Sequence, residues 1–381
     1  MKVSQIMTPG PTQVRENVRI ARSVATTNPD LDWKFYEFYK ETCEKIGEFL
    51  KTNNQVRVLN GEGILGLEAA CASLTETHDR VLVIDNGIFG EGFADFVEMY
   101  GGEVVFFKGN RKCGIDEIEL EKFLEKDHDF KYATVVHCDT PSGVLNDIKK
   151  ICNLLKKKGI LTVVDSVAGM GGEDIRVDEW KIDIALGASQ KCVSAPAGLT
   201  LISISEDAFK LMEQRATPIA SYYCNLLVWK DYYENKWFPY TPPISDIVGL
   251  RQAIDNILDD KGILQRHEFI GKATRKAIME AGLDLYIKEG YSNTVTVIEI
   301  PKEINDKELL KYMIDEFNVF ISGSFGYLQG KVIRIGHMGE NARKDKMAYT
   351  LLALQNSLKA LGFECKKNMV EIFLKELQNN L

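Results

Sequence analysis

The sequence predicts an α/β fold in which a large domain, with a mainly parallel sheet and helices on both faces, precedes a smaller α+β domain. Three observations lead to this prediction. Apolar runs of strand length alternate with helical patterns between residues 55 and 214, an order typical of parallel sheets covered by helices. The length of 381 residues exceeds one typical hydrophobic core. From residue 283 onward the elements become shorter and mixed.

We expect three parts along the chain. An N-terminal arm covers residues 1–13, where Pro9 and Pro11 exclude a helix. The large domain is expected at 14–250 and the small C-terminal domain at 251–381.

Apolar spacing predicts the individual elements. Strands of the large domain are expected at 55–59, 81–84, 103–107, 133–137, 160–164, 182–186 and 199–204. Its helices are expected at 33–52, 116–125, 146–157, 206–214 and 221–234. A helical stretch at 246–281, broken near Gly262, leads into the small domain. That domain is expected to hold strands at 283–287, 293–300 and 331–336 and helices at 306–317, 343–360 and 367–378.

Charge and composition exclude several classes of protein. The chain has 47 Lys and Arg against 55 Asp and Glu, a net charge of −8, and no basic stripe, so no nucleic-acid surface is expected. No apolar run approaches the roughly 20 residues of a membrane span. The N-terminus lacks a hydrophobic signal core, and the eight cysteines form no CxxC pair. We therefore expect a cytoplasmic protein with no metal site and no disulfides.

Polar side chains stand where three predicted strands end: Thr140, Asp165 and Lys191. Ligands of parallel sheets bind beyond the carboxyl ends of the strands, so these three side chains are expected to meet at one edge. A lysine at the mouth of a buried strand is costly to desolvate as a cation, and a lowered pKa or a covalent bond to a carbonyl relieves that cost. The alternative is a lysine that extends to solvent from an ordinary loop.

A glycine-rich segment, 61–66, matches G-x-G-x-x-G after a predicted strand, and Asp85 follows Gly66 by 19 residues. This spacing is typical of dinucleotide-binding folds. The same device, backbone N–H groups at the start of a helix, also binds other phosphate groups. The segment predicts phosphate binding in either case and leaves NAD as the weaker alternative.

Six motifs extend this pattern along the chain: TPGPT at 8–12, NGEG at 60–63, NGIFGE at 86–91, DSVAGMGG at 165–172, GASQK at 187–191 and KVIRIG at 331–336. In these motifs the sequence resembles the class V aminotransferases, pyridoxal-phosphate enzymes of fold type I, and within them the alanine–glyoxylate and serine–pyruvate aminotransferases. The resemblance covers nearly the whole chain. It also implies that the N-terminal arm packs on the small domain or on a partner subunit.

The resemblance implies a role for each candidate residue around the cofactor ring. Lys191 binds the pyridoxal aldehyde covalently and then moves a proton, and Asp165 pairs with the pyridine nitrogen. Phe89 stacks on the ring where many relatives have Trp, and Thr140 hydrogen-bonds the phenolic oxygen or the region next to it. The alternatives are a helix N-cap for Asp165, a core position for Phe89 and a turn before Pro141 for Thr140.

The phosphate is implied to rest on the backbone of Gly63 and Ile64, on the Gln190 side chain and on Thr241 of the partner subunit. A homodimer with shared active sites follows from that arrangement. Thr241 also has an alternative as part of a proline-rich loop.

Arg334 lies within an apolar strand and therefore needs an anionic partner. The carboxylate of a substrate fits its planar fork. A structural ion pair is the alternative.

The expected activity is transfer of an amino group from alanine or serine to glyoxylate or pyruvate. Alternatives are a ureidoglycine–glyoxylate transaminase, a lyase or cysteine desulfurase, and a non-enzymatic subunit of a complex that retains the fold. The chain departs from many relatives at Ile64, where they have His, at Phe238, where they have Tyr, and around Asn28. We expect these departures to affect the choice of substrates.

Overall fold

The computed structural model describes residues 4–379, so residues 1–3 of the predicted arm lie outside the described part. Numbered along the chain, the strands are β1 Gln5–Ile6, β2 Gln55–Asn60, β3 Arg80–Asp85, β4 Glu103–Lys108, β5 Tyr132–Val136, β6 Cys138–Asp139, β7 Val144–Leu145, β8 Leu161–Asp165, β9 Ile184–Ala188, β10 Leu199–Ile204, β11 Val295–Glu299, β12 Val319–Phe320, β13 Ser322–Gly323 and β14 Val332–Gly336. The helices are α1 Glu16–Ala21, α2 Trp33–Leu50, α3 Gly63–Leu74, α4 Ile88–Met99, α5 Glu117–Lys126, α6 Ile148–Lys157, α7 Glu206–Glu213, α8 Ile244–Asp259, α9 Ile263–Glu280, α10 Asp306–Phe317, α11 Lys344–Ala360 and α12 Met369–Asn379.

The central sheet has the order β2-β10-β9-β8-β5-β3-β4. Only β10 runs against its neighbours in this sheet, pairing antiparallel with β2 and β9, while β9, β8, β5, β3 and β4 pair in parallel. The predicted α/β class with a mainly parallel sheet is therefore confirmed. Because the strands run in parallel, β3, β5, β8 and β9 all end at one edge.

Three hydrophobic clusters support these elements. The first surrounds the central sheet and extends along the chain to Ile257. The second lies among α9 to α12 and the sheet β11-β14-β13, and it includes Met7 of the arm. The third contains residues of both regions, among them Cys138 and Val297. The predicted domain boundary near residue 250 falls inside α8, which packs on α1 and α2 and belongs to the first cluster. The boundary therefore stays a prediction.

The N-terminal arm is extended, as predicted. Strand β1 pairs in parallel with β12, with Gln5 opposite Val319, and the arm therefore packs on the C-terminal region. The break between α8 and α9 falls at Gly262, also as predicted.

The predicted helix at 221–234 is wrong, because only Leu227–Trp229 forms a short 3₁₀ turn there. The carbonyl oxygens of Trp229 and Lys230 accept hydrogen bonds from Arg57, and the indole of Trp229 is fully buried beside Tyr39. Packing of aromatic side chains has overridden the local helical spacing.

The predicted strand at 283–287 is also wrong. The segment forms one isolated bridge, between Leu285 and Ile298, and Tyr286 donates one backbone bond to Val297. Its side chains at 283, 286 and 287 are buried without ladder pairing.

Within residues 4–379, no helix has the length and apolar character needed to cross a membrane.

Candidate active site

A cavity of about 360 Å³ lies at the carboxyl edge of the central sheet. Most of the predicted site residues line it: Gly63, Ile64, Phe89, Thr140, Asp165, Gln190 and Lys191. A larger cavity of about 610 Å³ lies between α2 and residues 230–234 but contains none of these groups. The convergence of reactive side chains, rather than volume, makes the 360 Å³ cavity the candidate active site.

Lys191 follows β9 and extends into the cavity. Its amine donates a hydrogen bond of 2.8 Å to the carbonyl oxygen of Pro9. Burial lowers the pKa of Lys191, and the charge of Arg334 lowers it further, while Asp165 opposes the shift. The alternative of a lysine that extends to solvent is therefore wrong, and a larger fraction of the amine is neutral than for an exposed lysine.

Asp165 is the last residue of β8 and is buried. Its Oδ1 accepts a hydrogen bond of 2.8 Å from the Val167 N–H. Residues that follow form a turn, not a helix, so the N-cap alternative is wrong. Burial raises the pKa of Asp165 to about 7, against the Val167 bond and the charge of Lys191. A cationic or proton-donating ligand group would stabilise this carboxylate.

Phe89 and Thr140 face the cavity from the start of α4 and from the segment after β6. Buried Asp139, which the sequence reasoning missed, positions both segments. Its carboxylate accepts from the Phe89 N–H at 3.1 Å and from the N–H and hydroxyl of Ser142 at 3.1 and 2.5 Å. Its place beside Thr140 was the available signal.

Gly63 begins α3, where a Cβ atom would lie 2.8 Å from Val167. This close packing holds the start of α3 against the turn after Asp165. The residue before it, Glu62, lines the cavity and was also missed by the sequence reasoning. Its two carboxylate oxygens accept from the Ile64 N–H at 3.2 Å and from Gln190 Nε2 at 3.1 Å.

Arg334 lies on β14 and is 8% exposed. Its described hydrogen bonds go to carbonyl oxygens: Nε donates to Gly323 at 2.7 Å and Nη1 to Thr140 at 3.4 Å. Burial lowers the pKa of Arg334 to about 10, and the charge of Asp139 opposes that shift. The guanidinium thus contacts Thr140, which lines the cavity. Carbonyl oxygens carry no net charge, so these hydrogen bonds do not neutralise the positive charge of Arg334.

Thr241 does not line the cavity of its own chain and is exposed. Its carbonyl oxygen accepts a 2.8 Å hydrogen bond from Asn60 Nδ2. The sequence departs from many relatives at three further positions, of which Ile64 lines the cavity. Phe238 is buried, with its ring centroid 4.4 Å from that of Tyr36, and Asn28 lies in an exposed turn.

Asp85, the acid at dinucleotide spacing, is buried at the end of β3. It accepts from the Gly87 N–H at 3.1 Å and lies 3.4 Å from Arg111. It supports the turn before Phe89 and lies outside the cavity lining.

The sequence matches the family model described as aminotransferase class-V over residues 13–326. The pyridoxamine–pyruvate transaminase of Mesorhizobium japonicum is 32% identical over 342 residues, covering 87% of this chain and 86% of that protein. The alanine–glyoxylate aminotransferase of Drosophila melanogaster is 30% identical over 380 residues, covering 96% and 95%. The solved structure of ureidoglycine–glyoxylate aminotransferase from Bacillus subtilis has a TM-score of 0.95 at 30% identity, covering 100% of this chain and 99% of that one.

Proposed function

The chain belongs to the class V aminotransferase family, and on that basis we propose that it transfers the amino group of alanine or serine to glyoxylate or pyruvate. The protein is an aminotransferase of fold type I, and its family implies pyridoxal phosphate with amino acid and 2-oxo acid substrates. The NAD alternative is wrong for a member of this family.

The ring of the cofactor fits the residues of the cavity. Asp165 offers a buried carboxylate whose raised pKa calls for a partner such as a protonated pyridine nitrogen. Phe89 supplies an aromatic face and Thr140 a hydroxyl. Gly63, Ile64 and Gln190 form the end of the cavity assigned to the 5′ substituent of the ring.

When bound, pyridoxal supplies the electron sink that stabilises a carbanion at the substrate carbon. Lys191 is proposed to anchor the ring through its amine and, once released, to carry the proton between carbon atoms. Its lowered pKa favours that role, because a neutral amine is both nucleophile and base. Pro11 of the arm and Ala197 border the same cavity.

The observation that supports a carboxylate substrate is the charge and hydrogen bonding of Arg334. A buried guanidinium bonded to carbonyl oxygens retains its charge and its planar fork for a carboxylate. The carbonyl of Thr140 joins it to the cavity that contains Lys191. An α-amino or α-oxo carboxylate spans such a pair, since its reacting carbon is one bond from the carboxylate.

A homodimer with shared sites is part of the same proposal. Thr241 is proposed to reach the cofactor of the partner subunit, because it lies outside the cavity of its own chain. Large aromatic side chains nearby, Tyr222, Tyr223 and Trp237, are about half exposed, as is typical of surfaces that bind another protein. Sedimentation of the wild-type protein tests this dimer.

A cysteine desulfurase is not favoured by the thiols of the site. Burial raises the pKa of Cys138, which lines the cavity, to about 12, so this thiol is a poor nucleophile at neutral pH. Cys192 directs its sulfur to the Ala168 carbonyl at 3.5 Å. The loop at 322–326 contains no cysteine.

A screen of single half-reactions tests the substrate pair. The absorbance of the bound ring is followed while each of twenty amino acids is added, and then each 2-oxo acid. We expect alanine or serine, with glyoxylate or pyruvate, to give the fastest changes. A protein that shows no change with any amino acid contradicts the proposal.

The same screen should include two further amino-group donors. Ureidoglycine is favoured by the solved structure that matches with a TM-score of 0.95. Pyridoxamine is favoured by the relative at 32% identity. Faster transfer from either one than from alanine and serine would replace the first assignment.

A further inference from the structure

The end of the cavity assigned to the 5′ substituent already contains a negative charge. One oxygen of Glu62 accepts from the Ile64 N–H, and the other accepts from Gln190 Nε2. Both donors belong to the set of groups to which the resemblance assigns the phosphate. The carboxylate of Glu62 therefore occupies two hydrogen-bond donors that the phosphate of the family cofactor would need.

The charges around this end favour a neutral group. Of the residues that line the cavity within the described part of the chain, Glu62 and Asp165 are acidic and Lys191 alone is basic. Lys191 is bonded to the Pro9 carbonyl and is the group that reacts with the ring aldehyde. A phosphate ester would bring up to two more negative charges next to Glu62, and like charges that share the same hydrogen-bond donors repel because they are held close together.

The hydrogen-bonding chemistry leads to the same conclusion. A carboxylate only accepts hydrogen bonds, and so does a fully ionised phosphate, so the two groups cannot satisfy one another. A hydroxymethyl group can donate its O–H to Glu62 and accept from a neighbouring N–H. Gln190 Oε1 is buried and has no described partner, so it offers a second acceptor for such an O–H.

We propose that Glu62 selects the unphosphorylated ring, pyridoxal or pyridoxamine, over its 5′-phosphate in this site. The inference rests on the proposed function in one respect: the same cavity must bind the ring beside Lys191. It goes beyond the proposed function because it assigns the 5′ substituent of the bound ring, which is a neutral hydroxymethyl group instead of a phosphate.

An unphosphorylated ring lacks the charged phosphate that would help to hold it in the site. It can therefore dissociate and be replaced, as a substrate is. Pyridoxamine then serves as amino donor: its CH₂–NH₂ carbon is oxidised to the aldehyde of pyridoxal, and the 2-oxo carbon of the acceptor is reduced to CH–NH₂. The amino group and one carbon-bound hydrogen of pyridoxamine, one nitrogen and three hydrogens in all, pass to the acceptor. The oxygen of the acceptor becomes that of the aldehyde, so no other oxidant and no net water is consumed. Arg334 would bind the acceptor carboxylate as before.

Binding measurements test the selection without relying on turnover. Equilibrium dialysis of the full-length protein, followed by absorbance, gives Kd for pyridoxal and for pyridoxal 5′-phosphate. The variants are Glu62→Gln, which keeps the size and one acceptor oxygen but removes the charge, and Glu98→Gln, which removes an exposed charge on α4 outside the cavity lining.

We expect wild type and Glu98→Gln to bind pyridoxal at least about tenfold more tightly than its phosphate. Glu62→Gln should shift that ratio toward the phosphate by on the order of tenfold or more. If the Glu62→Gln protein does not fold, the ratio of the two Kd values in wild type still tests the proposal, because it requires no variant.

Tighter binding of the phosphate by wild type overturns this inference and leaves the aminotransferase proposal in place. An unchanged ratio in folded Glu62→Gln overturns the assignment to Glu62. Failure of every form to bind either ring contradicts the proposed function itself, and this inference with it.

Discussion

The amine of Lys191 lies 2.8 Å from the carbonyl oxygen of Pro9, so the N-terminal arm contacts the side chain proposed to carry the chemistry. The next residue, Gly10, has a φ of +101° and passes so close that a Cβ atom there would lie 2.4 Å from Lys191 Cδ. The arm thus forms one wall of the cavity and limits the positions available to the lysine.

Gly10→Ala should therefore impair catalysis more than folding. The added methyl group must displace Lys191 or the arm, and a misplacement of about 1 Å can cost on the order of 10²-fold in rate. Gly362→Ala is the matched control, because Gly362 has the same φ of +101° with open space around it. Both variants carry backbone strain of roughly 1–3 kcal/mol. Equal kcat values for the two variants, measured with the best substrate pair, would contradict the proposed contact.

Lys191→Ala should lose both the covalent bond to the ring and the proton carrier. General acid–base catalysis alone contributes about 10²–10⁴-fold, so kcat should fall at least that far. Borohydride reduction followed by peptide mapping should place the adduct at residue 191 in wild type and find none in the variant. An adduct at another lysine in wild type would refute the assignment.

Arg334→Lys should weaken acceptor binding although the charge is kept. Lysine lacks the planar fork that binds a carboxylate through two hydrogen bonds, and a charged hydrogen bond is worth about 1.5–3 kcal/mol. We expect KM for the 2-oxo acid to rise on the order of 10- to 100-fold.

Arg275→Lys is the control for Arg334→Lys. Burial lowers the pKa of Arg275 to about 10 as well, and Arg275 donates to the Ser292 carbonyl at 2.7 Å. Neither arginine lines the cavity, but Arg334 donates to the carbonyl of cavity-lining Thr140, whereas the described bonds of Arg275 go to Ser292 and Asn293, outside the lining. A similar rise of KM in both variants would indicate a structural role for Arg334.

Glu173 should make stability depend on pH. It is buried and accepts hydrogen bonds from Ser292 and Asn293, with Arg275 nearby, and burial still raises its pKa to about 7. The folded state keeps a proton that the unfolded state releases between about pH 4.5 and 7. This contribution to stability is thus fully present below that window and is lost as pH rises through about 7.

Glu173→Gln should flatten the decline in the free energy of unfolding between pH 5 and 7, by up to about 1.4 kcal/mol per pH unit. Urea unfolding at pH 5, 6 and 7 measures the slopes, with Glu98→Gln as the exposed control. Parallel slopes for wild type and Glu173→Gln would exclude a proton held by Glu173.

Local patterns in the sequence were sufficient where the chain forms regular elements. The apolar strands that end near Thr140, Asp165 and Lys191 were predicted, and the structure brings these three side chains to one cavity. Prediction failed at 221–234, where aromatic spacing is compatible with a helix but buried packing against Arg57 and Tyr39 decides the conformation.

By itself, then, the sequence determined the parallel sheet, the reactive edge and the family, because strand polarity and glycine-rich turns are local properties. Only the tertiary structure decided what those reactive groups contact. Pro9 and Lys191 are separated by 182 positions, and Glu62 and Gln190 by 128. Neither hydrogen bond can be read from spacing, since each depends on where the folded sheet places two distant segments.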